Sequence, residues 1–253
     1  MAQRFTHHDG KDLEPAEKIL KAALHSTLHP PKAHIAGHGV FVTVSRQHGA
    51  GGTTFSHRLA DRLNAEGAGD WSAWDHELIE KVSAQEKIAR QIVEMVETHP
   101  HNWLDVMLEG FSASEGVQHT AEFHVYKRIT AAIRALANTG HTIIVGQGGR
   151  YVTEDLPGGI HLRLEAPLEY RIQYIAKKND ISIHEAAKRV EELDQNRARF
   201  FHRYWPGRTL SPDTFTLTLN AGAMSVEEMV NSVIPLVHAR EAGVEVAPRS
   251  VTV

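Results

Sequence analysis

A run of small residues, Gly49-Ala50-Gly51-Gly52-Thr53-Thr54, follows Ser45-Arg46-Gln47-His48 and could hold phosphate. Glycines after a strand let backbone N–H groups point at phosphate oxygens, and the start of a following helix adds a favourable dipole. In the lysine-bearing form of such a loop, Gly-x-x-x-x-Gly-Lys-Ser/Thr, the ammonium reaches the terminal phosphates and the hydroxyl binds Mg²⁺. Laid over that pattern, Arg46 takes the place of the first glycine, Gly51 the second, Gly52 the lysine and Thr53 the hydroxyl residue. Two readings follow: a triphosphate cradle whose cation sits elsewhere, or a tight strand–helix turn that simply needs glycine. Arg46 is the replacement cation in the first reading, because a guanidinium stays charged and forks onto two phosphate oxygens. In the second it pairs with a surface carboxylate.

A second group of charges lies far along the chain. From Arg171 to Arg208 there are nine Lys/Arg against five Asp/Glu, in a chain whose net charge is −4. A basic segment in an acidic chain fits a compact anionic ligand; it also fits a solvated helical face. Within it, Asp194 and Arg197 are i, i+3 neighbours on a helix, while Arg199 and Arg203 project from another side. Asp75 falls where a strand should end, the edge at which open α/β sheets bind ligands. It serves equally well as the N-cap of the helix that follows.

These residues need elements to hold them. The apolar run at 40–45 reads as a buried parallel strand, and Phe55, Leu59 and Leu63 give the next segment a helical stripe. Helical patterns are expected over about 15–28 (Ile19, Leu20, Ala23 and Leu24), 76–98 (Ile79, Val82, Ile88, Ile92 and Met95) and 120–138 (Val125, Ile129, Ile133 and Leu136). Further strands are expected at 142–145, 160–164 and 215–220. Helices follow Pro167, Ser182 and Ser225, the last two with Glu185 and Glu228 three residues on as capping boxes. Strands alternating with helices after short glycine turns imply a parallel sheet flanked by helices. Residues 1–38 read as an appended arm and linker, either packed on the domain or used to form a homodimer. Residues 239–253 read as a loose tail.

Composition narrows the function. The 253 residues are 42% hydrophobic and 23% charged, ordinary values for a globular enzyme-sized domain. The acidic balance speaks against a broad nucleic-acid surface, and no apolar run approaches the roughly 18–20 residues needed to cross a bilayer. With no cysteine and no apolar signal core near residue 1, a cytoplasmic location is expected. The 18 histidines are scattered and include no HExxH pattern.

The stretches VTVSRQHGAGGTTFSHRLADRLN, WDHELIEKVS, IIVGQGGRYV and LRLEAPLEYRIQYIAKKNDIS together resemble the cytidylate kinase-like family, over roughly residues 38–238. The resemblance implies a three-layer α/β/α P-loop fold with a parallel sheet. It implies a helical acceptor-binding insertion at 76–138 and a helical lid at 177–210. It also implies that the missing lysine belongs to the whole branch, whose loop reads Ser-Arg-Glu and ends Ser-Gly-Gly. By the same resemblance, Asp194 and Arg197 match the Asp-x-Asn-Arg stretch that helps hold a nucleoside monophosphate. Arg171 aligns with an arginine after the strand turn, a lid-hinge or phosphate candidate. Arg150 stands beside a turn, residues 146–149, whose Asp-Gly-Arg-Asp counterpart in the classical enzymes is here all glycine and glutamine. Gln47, Gln147 and Val190 depart from the pattern, replacing an acidic residue and two arginines.

The expected activity is ATP- and Mg²⁺-dependent phosphoryl transfer to a nucleoside monophosphate, CMP or dCMP by resemblance. Arg46, Arg197 and Arg199 would stabilise the transferring group. The backbone from Gly49 to Thr54 would cradle the donor, Thr53 would hold Mg²⁺, and Asp75, Arg150, Arg171, Asp194 and Arg197 would bind the acceptor. The competing expectations are a nucleotide-binding regulator without catalysis and a kinase for another small acceptor.

Overall fold

The computed structural model describes residues 13–28, 39–98, 121–146 and 148–243. Gln147, Trp103 and the rest of 99–120, the two chain ends and the 29–38 linker lie outside these described residues. The elements run α1 (Leu13–Leu28), β1 (Phe41–Arg46), α2 (Gly52–Ala65), β2 (Ser72–Trp74), α3 (His76–Ser83) and α4 (Glu86–Thr98). Then come α5 (Ala121–Thr139), β3 (Thr142–Val145), α6 (Gly149–Val152), β4 (Gly159–Glu165), α7 (Leu168–Asn179), α8 (Ile183–Tyr204), a 3₁₀ turn (Pro212–Thr214), β5 (Leu217–Asn220) and α9 (Val226–Glu241).

The five strands form one parallel sheet in the order β2-β3-β1-β4-β5. β1 is central, with Val42, Thr43 and Val44 opposite Ile143, Ile144 and Val145 on one side and Ile160, His161 and Leu162 on the other. Its Phe41, Val42 and Val44 are wholly buried, as a strand covered on both faces requires. Phe55, Leu59 and Leu63 of α2 pack with Val230, Val233 and Val237 of α9 on one face. Helices α1, α3, α4 and α5 cover the other face with Leu20, Leu24, Ile79, Ile88, Ile133 and Leu136. The result is the expected α/β/α three-layer architecture. Among the described residues, no helix is long and apolar enough to cross a membrane.

Three expectations about the elements change. Residues 13–28 take the packed alternative, with α1 on α5, but the buried stripe is Ala16, Leu20, Ala23 and Leu24, and Ile19 turns outward at 39% exposure instead of joining it. The helix expected over 76–98 is two helices, because the first closes at Ala84 and the second begins at Glu86. α5 is buried nearly all round, with Ala131, Ala132, Ala135 and Ala137 fully covered beside the expected Ile129, Ile133 and Leu136. Small residues on every side let a central helix meet α1, α3, α4 and the sheet at once. The periodic reading catches only the largest of those contacts.

The carboxyl edge of the sheet positions the site. Arg46 ends β1, Val145 ends β3 just before the glycine turn, and Glu165 ends β4 just before α7. α7 and α8 form a helical pair over this edge, joined by Ile175, Ala176, Ala186 and Val190. The far end of α8 is tied into the main core, where Phe200 and Tyr204 meet Tyr126, and Trp205 Nε1 donates to Tyr126 Oη at 3.1 Å.

Candidate functional site

The phosphate-loop segment is fixed from below by side chains that no loop pattern mentions. Gln47 donates its backbone N–H to Leu164 O at 3.0 Å, and its side-chain Oε1 accepts from the Ala166 N–H at 2.9 Å. A glutamate there could accept the same bond, so this anchor does not depend on the change from an acidic residue to Gln47. His48 donates its N–H to Asp194 Oδ1 at 3.3 Å, and its carbonyl accepts from Arg171 Nη1 at 3.2 Å. Arg171 Nη1 also meets Asp194 Oδ2 at 2.5 Å, and its Nε donates to Ala166 O at 3.2 Å. Gly49 sits directly on Arg171 with φ near +83°, where a Cβ would come within 2.9 Å of the Arg171 carbonyl oxygen. Only glycine satisfies both conditions.

Arg46 explains the vacancy at the lysine position. Its stem runs over Gly52, whose Cβ would fall 2.9 Å from Arg46 Cγ. Its guanidinium lies against Gly146, whose Cβ would fall 2.0 Å from Nη1. A side chain at 52 and the arginine at 46 therefore compete for one space. Burial lowers the Arg46 pKa to about 10, with Arg197 nearby pushing the same way and Asp75 opposing. The guanidinium still holds its charge at neutral pH.

Two cavities open on either side of this arginine. The first, about 190 Å³, is lined by Gln47, His48, Gly49, Gly51, Gly52, Thr53 and Thr54 of the loop, and by Tyr174, Ile175 and Lys178 of α7. The second, about 260 Å³, lies over the ends of β1 and β3. It takes Tyr151, Phe200, Phe201, Leu193 and Leu210 as its apolar walls, and Arg150, His76 and Asn196 as polar groups. Arg46 and Arg197 line both. Arg197 is pushed down mainly by burial, with Asp194 3.6 Å from Nη1 opposing. That Nη1 is buried and makes no hydrogen bond. No carboxylate lines either cavity among the described residues.

The expected site residues therefore divide. Gly49, Gly51, Gly52, Thr53 and Thr54 line the loop cavity together with Arg46 and Arg197, and Arg150 lines the second cavity. Ala50 does not join the cradle: it is 1% exposed, sits in the core and donates its N–H inward to Gln47 O at 3.3 Å. Arg171 is buried and committed to the loop, Ala166 and Asp194. It lines neither cavity, nor does Asp194, whose carboxylate ties the loop, α7 and Arg197 together. Asp75 caps α3 by accepting from the Leu78 N–H at 3.0 Å, as the capping alternative required, and its neighbour His76 lines the second cavity instead. Arg199 is exposed, hydrogen-bonds Asn196 and lines neither cavity. Arg150 is partly engaged, donating from Nε to Thr214 O at 2.6 Å while its Nη1 has no hydrogen-bond partner. Val190, where an arginine was expected, faces α7. The stripe that lines the second cavity begins one turn later on α8, at Leu193.

Tyr174, Lys178, His76 and Tyr151 were missed by sequence reasoning. No spacing could have flagged them, because each enters the site through the docking of a whole helix. His48 was quoted within the loop and given no role. Burial pushes its pKa down to about 4, with Arg197, Arg189 and Arg46 adding to the effect and Asp194 opposing it.

The chain resembles the crystal structure of an uncharacterized protein from Eubacterium ventriosum, with a TM-score of 0.60 and 17% identity over 79% of this chain and 98% of that one. Shikimate kinase from Bacteroides thetaiotaomicron aligns over 79% of this chain and 98% of its own, at a TM-score of 0.44 and 12% identity. A curated uronate isomerase from Corynebacterium glutamicum is 26% identical over 95 residues. That match spans 36% of this chain and 18% of the isomerase. Residues 41–223, from the start of β1 to the turn after β5, match the cytidylate kinase-like family. With most of the chain matched, and with the loop, sheet and helical pair in place around it, the protein belongs to the cytidylate kinase-like family.

Proposed function

We propose that this protein transfers the terminal phosphoryl group of ATP, with Mg²⁺, to the phosphate of a nucleoside monophosphate, CMP or dCMP being the first acceptors to test. The observation that carries the reading is the shared lining of the two cavities: Arg46 and Arg197 face both. Phosphoryl transfer asks for this arrangement, because charge spreads over the equatorial oxygens of the moving group while donor and acceptor oxygens lie on opposite sides of it. Cations held in place between two anions stabilise that state without having to reorganise.

In this reading the donor phosphates lie in the loop cavity, against the first-turn amides of α2, which have no intrahelical partners. The acceptor phosphate faces Arg150, Arg46 and Arg197, and its nucleoside packs on Tyr151, Phe200 and Phe201. An acceptor phosphate oxygen attacks the terminal phosphorus of ATP, forming the new P–O bond. The bond to the bridging oxygen breaks and leaves ADP. A dianionic acceptor has no proton to lose, so no general base is needed. Thr53, exposed in the loop cavity, offers the hydroxyl that would hold Mg²⁺. Nucleotide oxygens and water would complete the coordination, which suits an ion that rarely takes an all-protein cage. When bound, the ion neutralises charge on the phosphates.

The test is an ADP-release screen with ATP and Mg²⁺ against the nucleoside monophosphates and a set of phosphorylated and hydroxylated metabolites. Turnover with CMP or dCMP supports the reading. Turnover only with another acceptor keeps the transfer and replaces the substrate. ATP binding without ADP release across the whole panel would leave a nucleotide-binding regulator.

A further inference from the structure

Without the loop lysine, a bound triphosphate would lack one positive charge on its outer side. Arg46 lines the loop cavity from its inner side, with its stem over Gly52 and its guanidinium against Gly146 where the second cavity begins, so it leaves the outer side uncovered. The outer wall of the loop cavity is instead made by α7, through Tyr174, Ile175 and Lys178. Ile175 is 4% exposed in the contact with α8, which fixes the rotation of α7 about its axis. Residues 174 and 178 are one turn apart, so the same face that buries Ile175 beside them turns this pair toward the loop. Lys178 is exposed, its ammonium lies 5.9 Å from the Tyr174 ring centroid, and it forms no ion pair among the described residues. The adjacent Lys177 is equally exposed and does not line the cavity.

We propose that Lys178, reaching in from α7, supplies the ammonium that contacts the terminal phosphates of the donor nucleotide in place of the loop lysine. This rests on reading the loop cavity as the donor site. The two cationic functions of a lysine-bearing loop are then split. Lys178 holds the donor phosphates from outside as a mobile point charge, while Arg46 meets the transferring group from the side facing the acceptor. Because α7 is joined to α8, the donor-side ammonium and Arg197 are carried by one helical pair.

The test is calorimetric titration of ATP, ADP and AMP, with and without Mg²⁺, into the full chain, its Lys178→Ala and Lys178→Arg variants, and Lys177→Ala. Lys178→Ala should weaken ATP binding about 10-fold or more, as loss of a charge-assisted contact does, and weaken AMP binding less than about two-fold. Lys178→Arg should keep most of the affinity, and Lys177→Ala should match the wild type. Unchanged ATP affinity in Lys178→Ala would overturn the inference while leaving the donor site standing. Equal losses for ATP and AMP would also overturn it, placing Lys178 at the nucleoside and not at the terminal phosphates. If the wild type bound no ATP, the donor-site reading itself would fail, and the inference with it.

Discussion

The two cavities that meet at Arg46 are built on different principles. The loop cavity has a floor of one continuous stretch, Arg46 to Thr54, rich in glycine and first-turn amides and clamped from below by Gln47, Arg171 and Asp194, with α7 and Arg197 as its walls. The second cavity is mostly side chains, drawn from β1, α3, α6, α8 and the segment after α8. A backbone site binds what every phosphate shares. A side-chain site, assembled from distant elements, can be reshaped around a particular acceptor without disturbing the donor side. The family resemblance should accordingly be more reliable for the donor than for the acceptor, and each substitution below probes that asymmetry.

The largest effect is expected where the cavities join. Arg46→Ala should lower kcat/KM by about 10²–10³-fold, or roughly 3–4 kcal/mol of transition-state stabilisation, with Arg46→Lys recovering only part because an ammonium cannot fork. If steady-state kinetics showed only a raised KM for ATP, Arg46 would belong to the donor side alone. Restoring the apparently missing residue should also harm the enzyme. Gly52→Lys would force the Arg46 stem aside, and turnover should drop by about the same factor.

Next comes the clamp. Asp194→Asn keeps the acceptor for the His48 N–H but removes the charge that meets Arg171 and Arg197. The KM for ATP should rise about 5–20-fold, the scale of a lost charge-assisted contact, with little change in the KM for the acceptor. The reverse pattern would return Asp194 to the acceptor site. Phe201→Ala gives the opposite split: it should raise the acceptor KM several-fold and leave the calorimetric ATP affinity unchanged.

A smaller effect concerns pH. His48 is depressed to about 4, chiefly by burial and then by Arg197. His161, half-buried beside Thr43, is depressed to about 3 by desolvation, then by Arg150 and Arg240. Between pH 6.5 and these values the unfolded chain takes up protons that the folded chain refuses. The contribution of these two histidines is therefore fully present above about pH 6.5 and declines as pH falls toward 4. Each histidine contributes a slope of at most about 1.4 kcal/mol per pH unit, less for partly exposed groups. Urea midpoints for wild type and His48→Gln should show a shallower decline in the variant. Parallel curves would mean His48 titrates normally. Arg199→Ala should change turnover less than about two-fold, since its side chain lines neither cavity.

The same contrast explains what could be read from sequence. β1, the glycine loop and α2 were legible because strand, turn and helix signals lie within 25 residues, and Phe55, Leu59 and Leu63 occupy the face expected of them. The parallel sheet followed from the alternation of strands and helices, and the capping box at Ser225 and Glu228 forms as read. Asp75 remained ambiguous because an N-cap carboxylate and a ligand carboxylate obey the same local rule. Arg171 stayed open between a lid hinge and a phosphate contact because an alignment gives a position along the chain, not which way a buried guanidinium turns. Whether α1 packs on the domain stayed open because its role depends on α5, about 100 residues later. His76, Tyr174 and Lys178 were invisible for the same reason: their function depends on how helices dock.

In the proposed reaction both nucleotides bind at once, end to end across Arg46 and Arg197. A bisubstrate ligand, adenosine joined to cytidine through a five-phosphate chain, tests it most directly by calorimetry. Two connected cavities predict a 1:1 complex at least about 10²-fold tighter than ATP, because the second half binds at high effective concentration, and an Arg46→Ala variant that loses most of that gain. An affinity no better than that of ATP alone would contradict the account.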